Sequence, residues 1–277
     1  MKTIFLINDN SAHAKHAAEL AYSIACKVQA NILIGNIVKT GRVVSVKEKT
    51  LIGGNIETTV ETTPDLRKHL QNLHTEADSF KPIIGNFNLA DLSESDISQL
   101  INKYNIWMVV KGTPAKHPLR SESHSANINF VLNKIKCPVL LVPENSEVNN
   151  FERMIYMADL RYCQLHVVRF LTEMADPFGA NVMVAHLSAK ELPNMDREYS
   201  HSVFKETICR SVRYDKLFFD NIQERDVRKA VDILINGMST DLMALVNHQF
   251  HFEEVVNGQI EDTLPPYINI PLLIFPN

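Results

Sequence analysis

The sequence predicts an α/β protein built as two similar halves, each a parallel sheet covered by helices on both faces. Three observations carry this expectation. Apolar, β-branched runs of strand length alternate with segments of helical periodicity along all 277 residues. Two phrases match, Lys136-Cys137-Pro138-Val139-Leu140-Leu141-Val142-Pro143 and Asn269-Ile270-Pro271-Leu272-Leu273-Ile274-Phe275-Pro276, which marks an internal repeat. Between the halves, Glu144 to Asn150 is charged and amide-rich, the composition of a boundary, and divides the chain into domains 1–145 and 151–277.

The elements follow in order. Lys2 to Asn8 reads as a first strand, and Ser11 caps a helix carrying Ala17, Leu20, Ala21, Ile24 and Val28 at helical spacing. Asn31 to Val38 is the second strand. Lys39 to Thr63 is long for an α/β connection, and its valines and isoleucines around Gly53-Gly54 suit a small hairpin. Pro64 opens a helix to about Ser79, since its fixed φ suits a first turn. Lys81 to Phe87 is strand three, Ser95 starts a helix, and Ile106 to Val110 is strand four. A helix over about 126–134 and the strand Pro138 to Val142 complete the first half.

The second half repeats the pattern. Strands are expected at Arg153 to Met157, Asn181 to Ala185, Lys216 to Asp220, Leu242 to Val246 and Pro271 to Phe275. Helices are expected at Tyr162 to Ala175, Asp196 to Ser211, Val227 to Met238 and Phe252 to Leu264.

Composition narrows the function. A net charge of -4, with both signs mixed, lacks the basic footprint of a nucleic-acid binder. No apolar run reaches the roughly 18 residues of a membrane span, and the N-terminus reads as a strand, not a signal peptide. Cys26, Cys137, Cys163 and Cys209 are scattered without paired spacing, as in a reducing cytoplasm.

Two acidic residues and one glycine junction hold corresponding places. Asp9 follows the first strand, and Asp159 repeats it. Gly112-Thr113 follows strand four at a set distance before Cys137-Pro138-Val139-Leu140, and the closing strand recurs in both halves. In these features the chain resembles the universal stress protein family, as a tandem of two such domains. The resemblance implies that each domain is a five-stranded parallel sheet of order 3-2-1-4-5, the two related by a pseudo-twofold. Strand five is then an edge, and a bare edge as apolar as Pro138 to Val142 invites aggregation. The two final strands are therefore expected to meet, so that the chain carries its own dimer.

Family members that bind ATP carry Gly-x2-Gly-x9-Gly-Ser/Thr after strand four, where backbone N–H groups approach the phosphates. The resemblance places Gly112, Ala115, Ser125 and Ala126 at these positions in the first half, so only the first glycine is kept. In the second half Asn247 and Phe250 stand at the first two positions and Gly258-Gln259 at the last pair. A phenylalanine there opposes close approach of phosphate. Lys116, His117 and Arg120 keep positive charge in the first loop. The cofactor-binding residues implied by the resemblance are Asp9, Ile37, Gly112, Ala115, Lys116, Ser125 and Ala126, with Asp159 and Gly258 in the second half.

Three functional readings follow. The first is a cytoplasmic stress-response protein acting by binding a small ligand or a protein partner, with ATP binding weak or lost, and with no nucleic-acid or membrane partner. The second is an ATP or AMP binder with Mg and slow hydrolase activity, using Asp9 and the Gly112 to Ala126 loop. The third is a metal-dependent activity at His248 and His251, which share a face if their segment is helical, with Glu253 and Glu254 to complete the site. His13 and His16 read as exposed positions of the first helix.

Overall fold

Alternation within β1 (Thr3–Asn8) already describes the architecture. Ile4 and Leu6 enter one hydrophobic cluster and Phe5 and Ile7 another, so the strand is buried on both faces. The structure is a computed structural model, and it describes residues 1–37, 65–75, 80–89, 99, 101, 103–114, 136–148, 150–190, 192–256 and 263–277. The expected hairpin at Lys39 to Thr63, the helix over 126–134 and most of the helix opened by Ser95 lie outside these residues.

The other strands are β2 (Asn31–Asn36), β3 (Ile84–Asn88), β4 (Ile106–Thr113), β5 (Val139–Pro143), β6 (Arg153–Ala158), β7 (Asn181–Leu187), β8 (Leu217–Ile222), β9 (Leu242–Val246) and β10 (Leu272–Phe275). They form one ten-stranded sheet of order β3-β2-β1-β4-β5-β10-β9-β6-β7-β8. Each half thus has the order 3-2-1-4-5 and is parallel within itself. The expected meeting of the final strands occurs. β10 pairs antiparallel with β5, Leu272 opposite Leu141 and Leu273 opposite Leu140, and two would-be edges become the centre of the sheet.

Helix α1 (Ala12–Val28) begins where Ser11 accepts a hydrogen bond from the Ala14 N–H, and ends where Gln29 takes a left-handed conformation. α2 (Leu66–Asn72) is shorter than expected, capped by Asp65. In the second half α3 (Leu165–Ala175) starts three residues later than expected, because Asp159 first caps a 3-10 turn over Leu160–Tyr162. α4 (Arg197–Val203) and α5 (Val227–Asp232) are capped by Asp196 and Asp226 and run on as π-helical turns, Phe204–Cys209 and Ile233–Gly237. α6 spans Phe252–Val256.

α1 and α3 share one face of the sheet, packing through Ala17, Leu20, Ala21 and Ile24 and through Val167, Val168, Leu171 and Met174. α5 and α6 cover the other through Val227, Ala230, Val231 and Val255. The halves also touch through side chains. Trp107 of β4 stacks on Phe170 of α3 at 4.5 Å, and Lys2 lies over the Trp107 ring while pairing with Glu173.

Candidate functional site at the C-terminal edge of the sheet

In parallel α/β sheets the strand order reverses between β1 and β4 and again between β6 and β9, and crevices form outside the C-terminal ends of those strands. Asp9 and Asp159 stand at these two points.

In the first half, Asp9 Oδ1 accepts from the Ser11 N–H at 3.0 Å and from the Ser11 hydroxyl, and Oδ2 lies 3.3 Å from His13 Nε2. Burial works against a charged carboxylate here. The hydrogen bonds from His13 and Ser11 outweigh it and hold the Asp9 pKa well below the usual carboxylate range. His13 is therefore a site neighbour, not the exposed helix position its spacing suggests. Beside it the buried Asn8 amide donates to Asn36 Oδ1 at 2.7 Å, and the Ile37 N–H donates to the Asn8 carbonyl at 2.9 Å, which places Ile37 next to the end of β1.

Gly112 lies inside β4, opposite Val142 of β5. A Cβ built there would stand 2.1 Å from the His13 carbonyl oxygen and 2.9 Å from the Ala14 nitrogen. The missing side chain is what lets the first turn of α1 rest directly on β4. This gives Gly112 a packing reason that the motif alignment does not contain. Ala115, Lys116, Ser125, Ala126 and Gly258 lie outside the described residues.

In the second half, Asp159 has a fully buried side chain and every acceptor position is taken up locally. Oδ1 accepts from the Arg161 N–H at 3.0 Å and from Arg161 Nε at 2.9 Å. Oδ2 accepts from Arg161 Nη2 at 2.8 Å and from the Ala189 N–H at 3.0 Å. Burial again opposes the charge, and the two-pronged arginine contact wins, so the Asp159 pKa falls. Behind the pair sit two buried histidines. His186 Nδ1 accepts from the Leu160 N–H at 3.0 Å and its Nε2 faces the Ser188 hydroxyl at 3.3 Å. His251 Nε2 donates to the Leu187 carbonyl at 2.7 Å, and its Nδ1 is buried without a partner among the described residues. Burial is the main effect on both and lowers the pKa of His186 and of His251.

The crevice between β6 and β9 is filled. Gln249, Phe250 and the buried His251 line it beside Asp159, and the cavity there is about 10 Å³, space for one water at most. Phe250 packs on Tyr162 with ring centres 4.8 Å apart. His248 and His251 do not lie on one helix. His248 has a left-handed backbone in a turn, and His251 points inward to Leu187. Among the described residues no three His, Cys, Asp or Glu side chains gather as a metal site.

Arg161, His186 and Ser188 were not singled out by sequence reasoning. One signal was available: residue i+2 from each aspartate is the one that bonds it, serine in the first half and arginine in the second.

No protein-family model matches the sequence, and no curated protein does. Solved structures do match. A universal stress protein from Archaeoglobus fulgidus DSM 4304 aligns with a TM-score of 0.60 at 12% identity, covering 99% of this chain and 98% of that one. A functionally unknown protein from Pseudomonas aeruginosa PAO1 aligns with a TM-score of 0.52 at 11% identity, covering 99% and 92%. The full chain therefore has the fold of universal stress protein structures, with both halves and their pairing included. Among the described residues no helix is long and apolar enough to cross a membrane.

Proposed function

We propose that the chain is a tandem universal stress protein that acts in a stress response by binding a small ligand or a protein partner, not by turnover. In this reading nucleotide binding is weak or lost, and any that is retained belongs to the first half. The observation that carries it is the saturation of Asp159. A carboxylate that already holds its own arginine and the Ala189 N–H has no acceptor left for an adenine, and the crevice beside it has about 10 Å³ of space. The four free cysteines suit a reducing compartment, and we place the protein in the cytoplasm.

Thermal unfolding with and without millimolar Mg-ATP tests this. A ligand at about a hundred times its Kd stabilises by about 2.7 kcal/mol, a shift of several degrees. The expected result is a small shift or none, with any shift abolished by Asp9→Ala. A shift of several degrees at micromolar ATP, or steady ATP hydrolysis that Asp9→Ala removes, would favour the nucleotide-hydrolase reading instead.

A further inference from the structure

The filled crevice is not the only hollow at this end of the second half. A cavity of about 680 Å³ opens between the segment after β7 and the start of α5, with Glu254 of α6 also lining it. Its size is that of a small-molecule site, whereas the crevice beside Phe250 has room for one water at most.

Hydrogen bonds order residues on both walls. On one side, the buried Asp159–Arg161 pair ties down Ala189 and Pro193. Asp159 holds the Ala189 N–H, Arg161 Nη2 donates to the Pro193 carbonyl at 3.2 Å, and the Leu192 N–H closes a turn onto Ala189. On the other side, the Glu224 carboxylate accepts from the Arg225 and Asp226 N–H groups, and Asp226 accepts from those of Arg228 and Lys229. The acid of Asp226 is thus occupied in capping. Lys190, Arg225 and Arg228 bring positive charge to the rim, and the Ser188 hydroxyl, Asn194 and Glu254 add hydrogen-bonding groups.

We propose that this cavity is a binding site for a small phosphorylated ligand, its phosphoryl group held by Lys190 and Arg225 and its hydroxyl groups by Glu254 and Asn194. Guanidinium and ammonium groups on two facing walls suit a tetrahedral anion, the planar fork of arginine giving direction and lysine a point charge. In this arrangement the arginine that disables Asp159 as a ligand contact also braces the wall of a second site. The proposal goes beyond the function read above, in which any retained nucleotide binding belongs to the first half.

The test uses the full chain and inorganic pyrophosphate as probe. Thermal unfolding is followed from zero to 10 mM pyrophosphate, roughly, at constant ionic strength, for the parent chain, for Lys190→Ala/Arg225→Ala and for Asp9→Ala. Both replaced cations are exposed, so the double variant keeps the fold. The expected result is a saturable shift of several degrees that the double variant loses and Asp9→Ala keeps. No shift in the parent chain, or a shift that survives the double substitution, overturns the proposal. A shift that Asp9→Ala removes assigns the ion to the first half and overturns it too.

Discussion

Arg161 grips Asp159 with two side-chain nitrogens, Nε at 2.9 Å and Nη2 at 2.8 Å, although only one residue separates them in the chain. The first half has Ser11 in the same place relative to Asp9. One substitution between repeats thus separates a carboxylate closed by its own neighbour from one that keeps a partly accessible side chain.

Removing the arginine should expose the cost of that burial. Asp159 has no side-chain exposure and Arg161 is 26% exposed, so the pair lies between the exposed and buried cases. Arg161→Ala is expected to destabilise by about 2–3 kcal/mol, below the roughly 3–5 kcal/mol of a fully buried pair because water reaches the guanidinium. Urea unfolding measures it. Adding Asp159→Asn should recover at least about half of the loss, since it removes the orphaned charge.

Gly112→Ala should destabilise by about 3 kcal/mol, because the new methyl meets the His13 carbonyl at 2.1 Å and backbone must move. Gly85→Ala provides the contrast. Its new methyl would meet the end of the Leu33 side chain at 3.2 Å, and a cost below about 1 kcal/mol is expected. Equal losses at the two positions in denaturant titrations would remove the packing explanation of Gly112.

Acid should weaken the second half before the carboxylates titrate. His186 and His251 have pKa values lowered below the ordinary 6.5 by burial, with Asp159 opposing for His186 and the Leu187 carbonyl opposing for His251. The unfolded chain therefore takes up these protons first. Stability is full above about pH 6.5 and falls as pH drops below it, by at most about 1.4 kcal/mol per pH unit for each histidine. His186→Asn, whose side-chain oxygen can still accept from the Leu160 N–H, should flatten the slope between pH 6.5 and 5 in urea midpoints. Asp9 and Asp159 have lowered values, so their contributions are present above the ordinary 3.8 and are lost only as pH falls below it.

The single tryptophan reports on the contact between the halves. Trp107 stacks on Phe170, which also meets Phe275 edge-on at 5.3 Å. Phe170→Ala should shift Trp107 emission to the red and cost about 2–3 kcal/mol, somewhat less than a fully buried phenylalanine. Unchanged emission would mean that the contact does not order the ring.

Periodicity is a local property, and what it carries was legible in the chain. The strand–helix alternation, the repeat, the place of each strand from Thr3 to Phe275, and the matching positions of Asp9 and Asp159 all follow from side-chain spacing along short segments. The resemblance added the strand order and led to the expectation that β5 and β10 meet. What those residues touch was not legible, because the contacts lie far apart in sequence. Asp159 is held by Ala189 thirty residues on, Gly112 lacks a side chain because His13 occupies its place, and His251 turns inward to Leu187. Tertiary structure alone decided which aspartate is closed and which crevice is filled, since burial and hydrogen-bond saturation belong to the assembled sheet and not to any one strand.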